Sequence, residues 1–368
     1  MDEKEIRQQI ETLREQLHYH NYLYHTLDAP VISDYDYDQL YKRLKELESA
    51  HPELITADSP TQRSGGQPLD KFRKVEHPSP IQSLANGFGR QDTLDWYERI
   101  LRLDPAVARA DYVLEPKLDG LTVVLTYENG SFVLGATRGD GLVGEDVTEN
   151  LRTIPTLPLR IPVMGGGHAP ARLVVRGEAI MFKDDFERLN AQLEQRGEKT
   201  YLNPRNTAAG SLRQLDPAVT AKRPLKIFLY QILESSEETP NTQSEILDYL
   251  MKLGFPVNPL RWHANNIEEA VQICEAQALS RHTWAYDADG IVIKINDQAL
   301  SRRLGFSGKD PRGALAFKYP GQEVETTLLD IQVNVGRTGV LTPLAVLKPV
   351  SIGGVIVRQA TLHNFDFI

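Results

Sequence analysis

Along the first sixty residues the apolar positions recur with helical spacing. Ile6, Ile10, Leu13 and Leu17 lie three or four residues apart and predict one face of a first helix. Asp28-Ala29-Pro30 breaks that pattern, and Ser33 or Asp34 can cap a second helix. Tyr37, Leu40, Tyr41, Leu44 and Leu47 carry its apolar stripe until Pro52 closes it. Two antiparallel helices bury little by themselves, so this reads as a small appended subdomain.

Residues 61–80 have no period and are rich in Gly, Pro and charge, which predicts a linker or surface loop. Beyond them the pattern turns to mixed α/β. LTVVLTY and SFVLGATR flank Glu128-Asn129-Gly130, a hairpin signal, because Asn-Gly accepts the positive φ that a two-residue turn requires. ARLVVRGEAIMF, LKIFLYQIL and DGIVIKIN read as further strands, with DDFERLNAQLEQRG and SEILDYLMKLG as helices between them. MGGGHAP and ESSEETPNTQ read as surface loops. After Tyr319-Pro320 come LLDIQVNV, GVLTPLAVL and GVIVRQATL, too few strands to close a small barrel.

Composition narrows the class. A chain of 368 residues has room for two or three domains at about 150 residues each. Hydrophobic residues at 41% and charged residues at 25% exclude a disordered or fibrous chain. A net charge of −9 excludes a uniformly basic DNA-coating protein, though not one that grips nucleic acid through patches. The single cysteine, Cys274, excludes an internal disulfide and a Cys-rich structural zinc site, and suits a reducing compartment. The charged N-terminus has no apolar signal core, and no run approaches the roughly 18 apolar residues of a membrane span. The expectation is a cytoplasmic protein.

The sharpest chemical feature is Glu115-Pro116-Lys117-Leu118-Asp119-Gly120. A lysine amine becomes nucleophilic through desolvation or nearby positive charge. Asp119 and Glu115 could orient it or hold a sugar hydroxyl or a metal, with Gly120 letting the backbone turn. Alone, K-x-D-G is equally a surface salt link. Its companions add weight: Arg138 ends the hairpin, Glu178 ends a strand and could fix a ribose or a metal, and Lys294 and Lys318 sit in apolar strands. Strand lysines can simply face solvent, yet amid Ile, Val and Phe they also suit a cleft that holds an anion.

Eleven segments in order, among them SLANGF, EPKLDGL, ATRGDGLVGEDVTENLRTI, NPRNTAAGSLRQLDP, YDADGIVIKIN, AFKYPGQE and VGRTGVLTP, resemble the bacterial NAD-dependent DNA ligases over nearly the whole chain. The resemblance implies an α+β fold. It comprises a nucleotidyltransferase domain of the ATP-grasp-like DNA ligase type (71–320), an N-terminal helical NMN-binding subdomain with its linker (1–70), and a partial OB-fold β-barrel (321–368), truncated at the C-terminus. It implies that Lys117 attacks the α-phosphate of NAD and keeps AMP as a phosphoramidate, with Asp119 beside it. The implied AMP pocket is Ser83, Leu84, Glu115, Arg138, Glu178, Lys294 and Lys318. Arg205, Arg213, Arg281, Asp289 and Arg337 match positions near nucleotide or DNA.

For the NMN moiety the resemblance points to Tyr24, His25, Asp34, Tyr35, Asp36, Tyr37 and Asp38. Asp34, Tyr37 and Asp38 share one helical face, where a ring can stack on nicotinamide and carboxylates can meet its charge. Tyr37 also belongs to the apolar stripe, and Asp34 could only cap the helix. The implied cofactors are NAD and Mg²⁺ (or Mn²⁺), with Glu178 a possible metal ligand. The implied partner is nicked double-stranded DNA, engaged by a monomer. DNA contact in so acidic a chain needs patches. Arg205, Arg213, Lys222, Arg223 and Lys226 face only Asp216 in one segment, and Arg302, Arg303, Lys309, Arg312 and Lys318 only Asp310 in another. Two residues depart from the family pattern, Gly313 where tryptophan is expected and Thr207 where alanine is usual. The alternatives are an ATP-using ligase or capping enzyme, which shares K-x-D-G, and an inactive nucleic-acid-binding fragment.

Overall fold

The computed structural model describes residues 3–64, 69–163, 167–319, 324–335, 339–352 and 355–365. Helices Glu3–His25 and Asp34–Ala50 form the N-terminal pair, and Ser33 accepts from the Asp36 amide as the N-cap of the second. The predicted stripes meet: Ile10, Leu13, Leu17, Leu44 and Leu47 form one core with Leu54, and Ile6, Tyr37, Leu40 and Tyr41 pack against it. Inside it Arg14 donates to Glu48 at 2.6 Å and to the Leu54 carbonyl at 2.7 Å, and Ser59 also donates to Glu48 at 2.8 Å. Such a buried pair is tolerable because its remaining hydrogen-bonding capacity is used.

The central unit is built on two sheets. One has five strands in the order Asn86–Gly87, Ala314–Lys318, Ala288–Ile295, Tyr112–Leu118 and Trp262–Ala264. The other has four, in the order Ser131–Thr137, Leu121–Glu128, Arg172–Met181 and Leu225–Ser235. Each has its own core. Helices Arg90–Leu103, Ile267–Ser280 and Gln298–Leu304 cover the first sheet, and Lys183–Gln195, Pro204–Leu212 and Gln243–Lys252 pack with the second. Cys274 is fully buried in the first core, where burial pushes its thiol pKa up. The predicted hairpin forms, with φ of 48° at Asn129 and 81° at Gly130.

Two expectations change. The 61–80 stretch is not a free linker over its described length. Lys74–Glu76 pairs antiparallel with Val143–Glu145, and the Leu69 and His77 amides bond Leu215 and Leu142. A segment without internal period can still be fixed by edge pairing. Gly120 sits at the expected bend between the two sheets, and it also allows close approach, since a Cβ there would lie 2.2 Å from the Ala179 carbonyl oxygen. Gly313 leaves no hole, because a Cβ would lie 2.2 Å from Ser301 Oγ, so the expected tryptophan has no room. Thr207 is buried and bonds back to the Asn203 carbonyl at 2.7 Å.

The helical pair is tied to the second sheet's unit. Arg63 is half-buried and donates to the Ile154 and Leu157 carbonyls at 3.0 and 2.8 Å. Asn21 donates to Pro155, and Arg160 pairs with Glu11. In the C-terminal segment, Leu328–Val335, Leu341–Ile352 and Val355–Thr361 make an antiparallel sheet of three strands. These are the three predicted segments, and among the described residues they close no barrel.

Candidate functional site

Strand register assembles the central site. In the five-stranded sheet Gly290 stands opposite Lys117 on one side and Lys318 on the other, so the two lysines flank one glycine. That glycine is required, because a Cβ would lie 2.1 Å from the Phe317 carbonyl oxygen. The register slips between Ala288 and Gly290, leaving Asp289 as the extra residue of a bulge. Its carboxylate meets Lys117 Nζ at 2.9 Å and Lys318 Nζ at 3.5 Å. The carboxylate nearest the amine is therefore Asp289, where the sequence offered Asp119 and Glu115 for that place.

Two residues before Lys117, Glu115 is buried and accepts from Lys294 at 2.6 Å and from Gln243 at 3.0 Å. Glu115 and Lys294 are diagonal neighbours, Glu115 being opposite Val292. The Lys294 ammonium also lies over the Tyr230 ring.

The second sheet supplies the facing wall. Glu178 is opposite Thr122, whose hydroxyl donates to it at 3.0 Å, and the Tyr230 hydroxyl approaches at 3.4 Å. Burial lifts the Glu178 pKa to about 7, against smaller opposing effects of Thr122, Arg176 and Lys117. Arg138 is exposed at the end of the hairpin, its amide bonded to the Thr122 carbonyl. Asp119, in the short link between the sheets, accepts from Arg205 at 2.6 Å, and burial raises its pKa while Arg205 opposes that.

Ser83 and Leu84 lie at the sheet edge beside the Lys318 strand, where the Ala85 carbonyl accepts from Ala316. Ser83 Oγ donates to Asp310, and Arg176 reaches the Gln82 carbonyl. Arg281 stacks on Tyr319, next in chain to Lys318. Arg213 stands apart, bound to Glu145 at 2.7 Å. Arg337 falls outside the described residues.

A cavity of about 320 Å³ on the helical pair is lined by Tyr24, His25, Asp34, Tyr37 and Asp38, together with His20, Asn21 and the 30–33 turn. Tyr35 and Asp36 do not line it: Tyr35 is exposed, and Asp36 is engaged by Ser33. Burial, then the charges of Arg63 and Lys226, hold the His25 pKa down to about 4.

Three family descriptions match in chain order. Residues 3–65 match the DNA ligase-like N-terminal NAD+-binding domain, and residues 69–322 match the NAD-dependent DNA ligase adenylation domain. The chain belongs to the NAD-dependent DNA ligase family. Residues 325–368 match that family's OB-fold domain.

The DNA ligase of Roseiflexus castenholzii is 52% identical over 366 residues, covering 97% of this chain and 51% of that protein. The DNA ligase of Chloroflexus aggregans is 52% identical over 380 aligned positions, covering all of this chain and 55% of that protein. The chain thus spans about half the length of the curated relatives it matches. Among solved structures, mycobacterial DNA ligase D complexed with ATP and MES aligns over 73% of this chain and 67% of its own, at 13% identity and TM-score 0.37.

Thr122, Arg176, Tyr230 and Gln243 also contact the candidate site residues of this ligase-family chain or lie beside them, and sequence reasoning missed them. Thr122 was accessible, being opposite Glu178 once the strands are paired. Gln243 had no local signal, since it meets Glu115 across 128 positions of chain.

Proposed function

We propose that this chain is the adenylating portion of an NAD-dependent DNA ligase, with Lys117 as nucleophile. The observation that carries the reading is the Lys117–Asp289–Lys318 row at the end of the central strands. Lys117 Nζ forms the bond to the α-phosphorus of NAD, the pyrophosphate P–O bond breaks, and NMN leaves with its electron pair. Asp289, already the acceptor for the amine, positions it and is placed to take its proton. Lys294 and Lys318 oppose the charge that develops on the non-bridging oxygens.

Arg138, Glu115 and Glu178 frame the adenosine, with Ser83 and Leu84 at the edge. The cavity of Tyr24, His25, Asp34, Tyr37 and Asp38 takes the NMN half, which favours NAD over ATP as the donor. Arg205, Arg213 and Arg281 are assigned to nucleotide or DNA phosphates. No group of three or more His, Cys, Asp or Glu able to hold a metal occurs among the described residues. Mg²⁺ or Mn²⁺ bound by one carboxylate and the substrate's phosphates suits such a site, with Glu178 as that carboxylate. The bound ion would supply further charge for the phosphate oxygens.

The product, lysyl-AMP, passes its AMP to the 5′-phosphate of a nick in duplex DNA, and the adjacent 3′-hydroxyl then displaces AMP in replication and repair. We assign the chain to the cytoplasm as a monomer. A gel assay with NAD and a nicked duplex labelled at its 5′-phosphate tests the proposal. The expected result is an adenylated strand with weak sealing. No adenylated or sealed strand would overturn the proposed activity, and strong sealing would overturn its restriction to the early steps.

A further inference from the structure

Glu115 and Lys294 are joined at the site by a residue from neither of their strands. Helix Gln243–Lys252 starts on a capping box of Thr242 and Glu245, which makes Gln243 its first residue. That start is pinned close to Lys294 in the chain. The Gln243 amide donates to the Asn296 carbonyl at 2.8 Å, and the Ser244 amide to the Asn296 side chain at 3.0 Å. Asn296 is held in turn, donating to Asp111 at 2.7 Å. The Gln243 side chain thus reaches between the two sheets from a fixed origin.

Gln243 is 4% exposed, and its amide is engaged at both ends. Nε2 donates to Glu115 Oε1 in the five-stranded sheet and to the Tyr230 carbonyl in the four-stranded sheet, each at 3.0 Å. Oε1 accepts from Gln298 Nε2 at 3.3 Å. One orientation satisfies these partners, because turning the amide over would set its oxygen against a carboxylate and a carbonyl. Packing alone does not ask for such an arrangement. A methionine would fill the same space with no hydrogen bonds to satisfy.

The consequence falls on Glu115. Lys294 and Gln243 both bond its Oε1, while among the described residues nothing bonds Oε2, which keeps accessible surface. A carboxylate held through one oxygen presents the other as an acceptor in a fixed direction. On the adenosine assigned to this pocket, the group that complements an acceptor is the exocyclic amine of the base.

We propose that Gln243 is a positioning residue for base recognition: it fixes Glu115 so that Oε2 meets the exocyclic amine, and so sets a preference for adenine over an oxo-purine. Gln243 acts through Glu115 rather than on the substrate. The inference rests on the adenosine pocket proposed above, and not on the transfer to Lys117.

Calorimetric titration with AMP and with inosine monophosphate tests this, on the chain stripped of any bound AMP. Inosine monophosphate carries an oxygen where adenine carries the amine, and that oxygen repels the carboxylate. The parent is expected to bind AMP about tenfold or more tightly, as for a hydrogen bond to a charged group. Gln243→Met should cut that preference to about threefold or less. Gln298→Met, which frees the amide to turn, should give an intermediate ratio. In Glu115→Gln, adding Gln243→Met should change the ratio no further, because the route through Glu115 is already lost.

A merely structural Gln243 would weaken both nucleotides alike, and an unmoved ratio in Gln243→Met overturns the inference. So does a parent without preference, or a further fall when Gln243→Met is added to Glu115→Gln. Should Gln243→Met fail to fold, an unchanged ratio in Gln298→Met overturns it by itself. Intact mass after incubation with NAD separates the two readings. A parent that gains no adenylyl group, yet prefers AMP through Gln243, supports the inference and overturns the transfer to Lys117. An adenylated parent whose variants keep the full preference does the reverse.

Discussion

In its proposed role, Glu178 would serve chemistry at the expense of stability. Burial raises its pKa from 4.5 to about 7, so the folded chain holds that proton more tightly than the unfolded chain. The sign follows: the contribution to folding is most favourable below the unfolded value and is lost as pH rises toward 7, a cost of up to about 3 kcal/mol. Glu178→Gln is therefore expected to unfold at the same or a higher temperature than the parent at pH 8, while adenylation falls about 100-fold or more. Thermal melts and single-turnover assays at pH 6 and 8 check both halves. If Glu178 holds the metal ion as proposed, ion and proton compete for its carboxylate, and the metal-dependent rate of the parent is expected to climb as pH rises through 7. A flat profile would remove Glu178 from that role.

At the level of elements, what the sequence disclosed depended on how local the determinant was. The two N-terminal helices, the Asn129-Gly130 hairpin and the strand around Lys294 were readable because period and turn chemistry are written within a dozen residues. The strand holding Lys117 itself, and the pairing of Lys74–Glu76, were not. The first has no alternation because it lies mid-sheet, and the second is fixed by a partner about seventy positions away. Gly290 is the clearest case of a determinant visible only after pairing, since a glycine before an apolar strand looks like an ordinary turn. Gly290→Ala is expected to cost about 3 kcal/mol through overpacking against the Phe317 carbonyl. Denaturant unfolding followed by tryptophan emission measures that cost. A variant as stable as the parent would show that the sheet relaxes there without cost.

Across the whole molecule, the helical pair and the central unit share a boundary rich in groups that must stay neutral. Burial, with neighbouring arginines, depresses His18 to about 3, and His25 sits at about 4 beside Arg63 and Lys226. Both folded values lie below the unfolded 6.5, so the unfolded chain binds more protons between those limits. Their contribution to stability is complete above about pH 6.5 and declines as pH falls through 4. Acidification from pH 7 to 5 is expected to lower hydrogen-exchange protection in Glu3–His25 before it affects the two sheets of the central unit. Equal loss in both parts would contradict that order. The motifs around Lys117 were legible because each is a short run of distinctive chemistry. The division of the basic run 205–226 was not, because the fold alone decides that Arg205 meets Asp119 and Arg213 meets Glu145.

The central claim is that Lys117 accepts AMP from NAD. Intact-protein mass, recorded after the chain is stripped of any bound AMP and incubated with Mg²⁺ and either NAD or ATP, tests it most directly, with Lys117→Ala as the control. One added adenylyl group with NAD, none with ATP and none in the variant is the predicted result. An unchanged mass with NAD, or an equal gain in Lys117→Ala, would contradict the account.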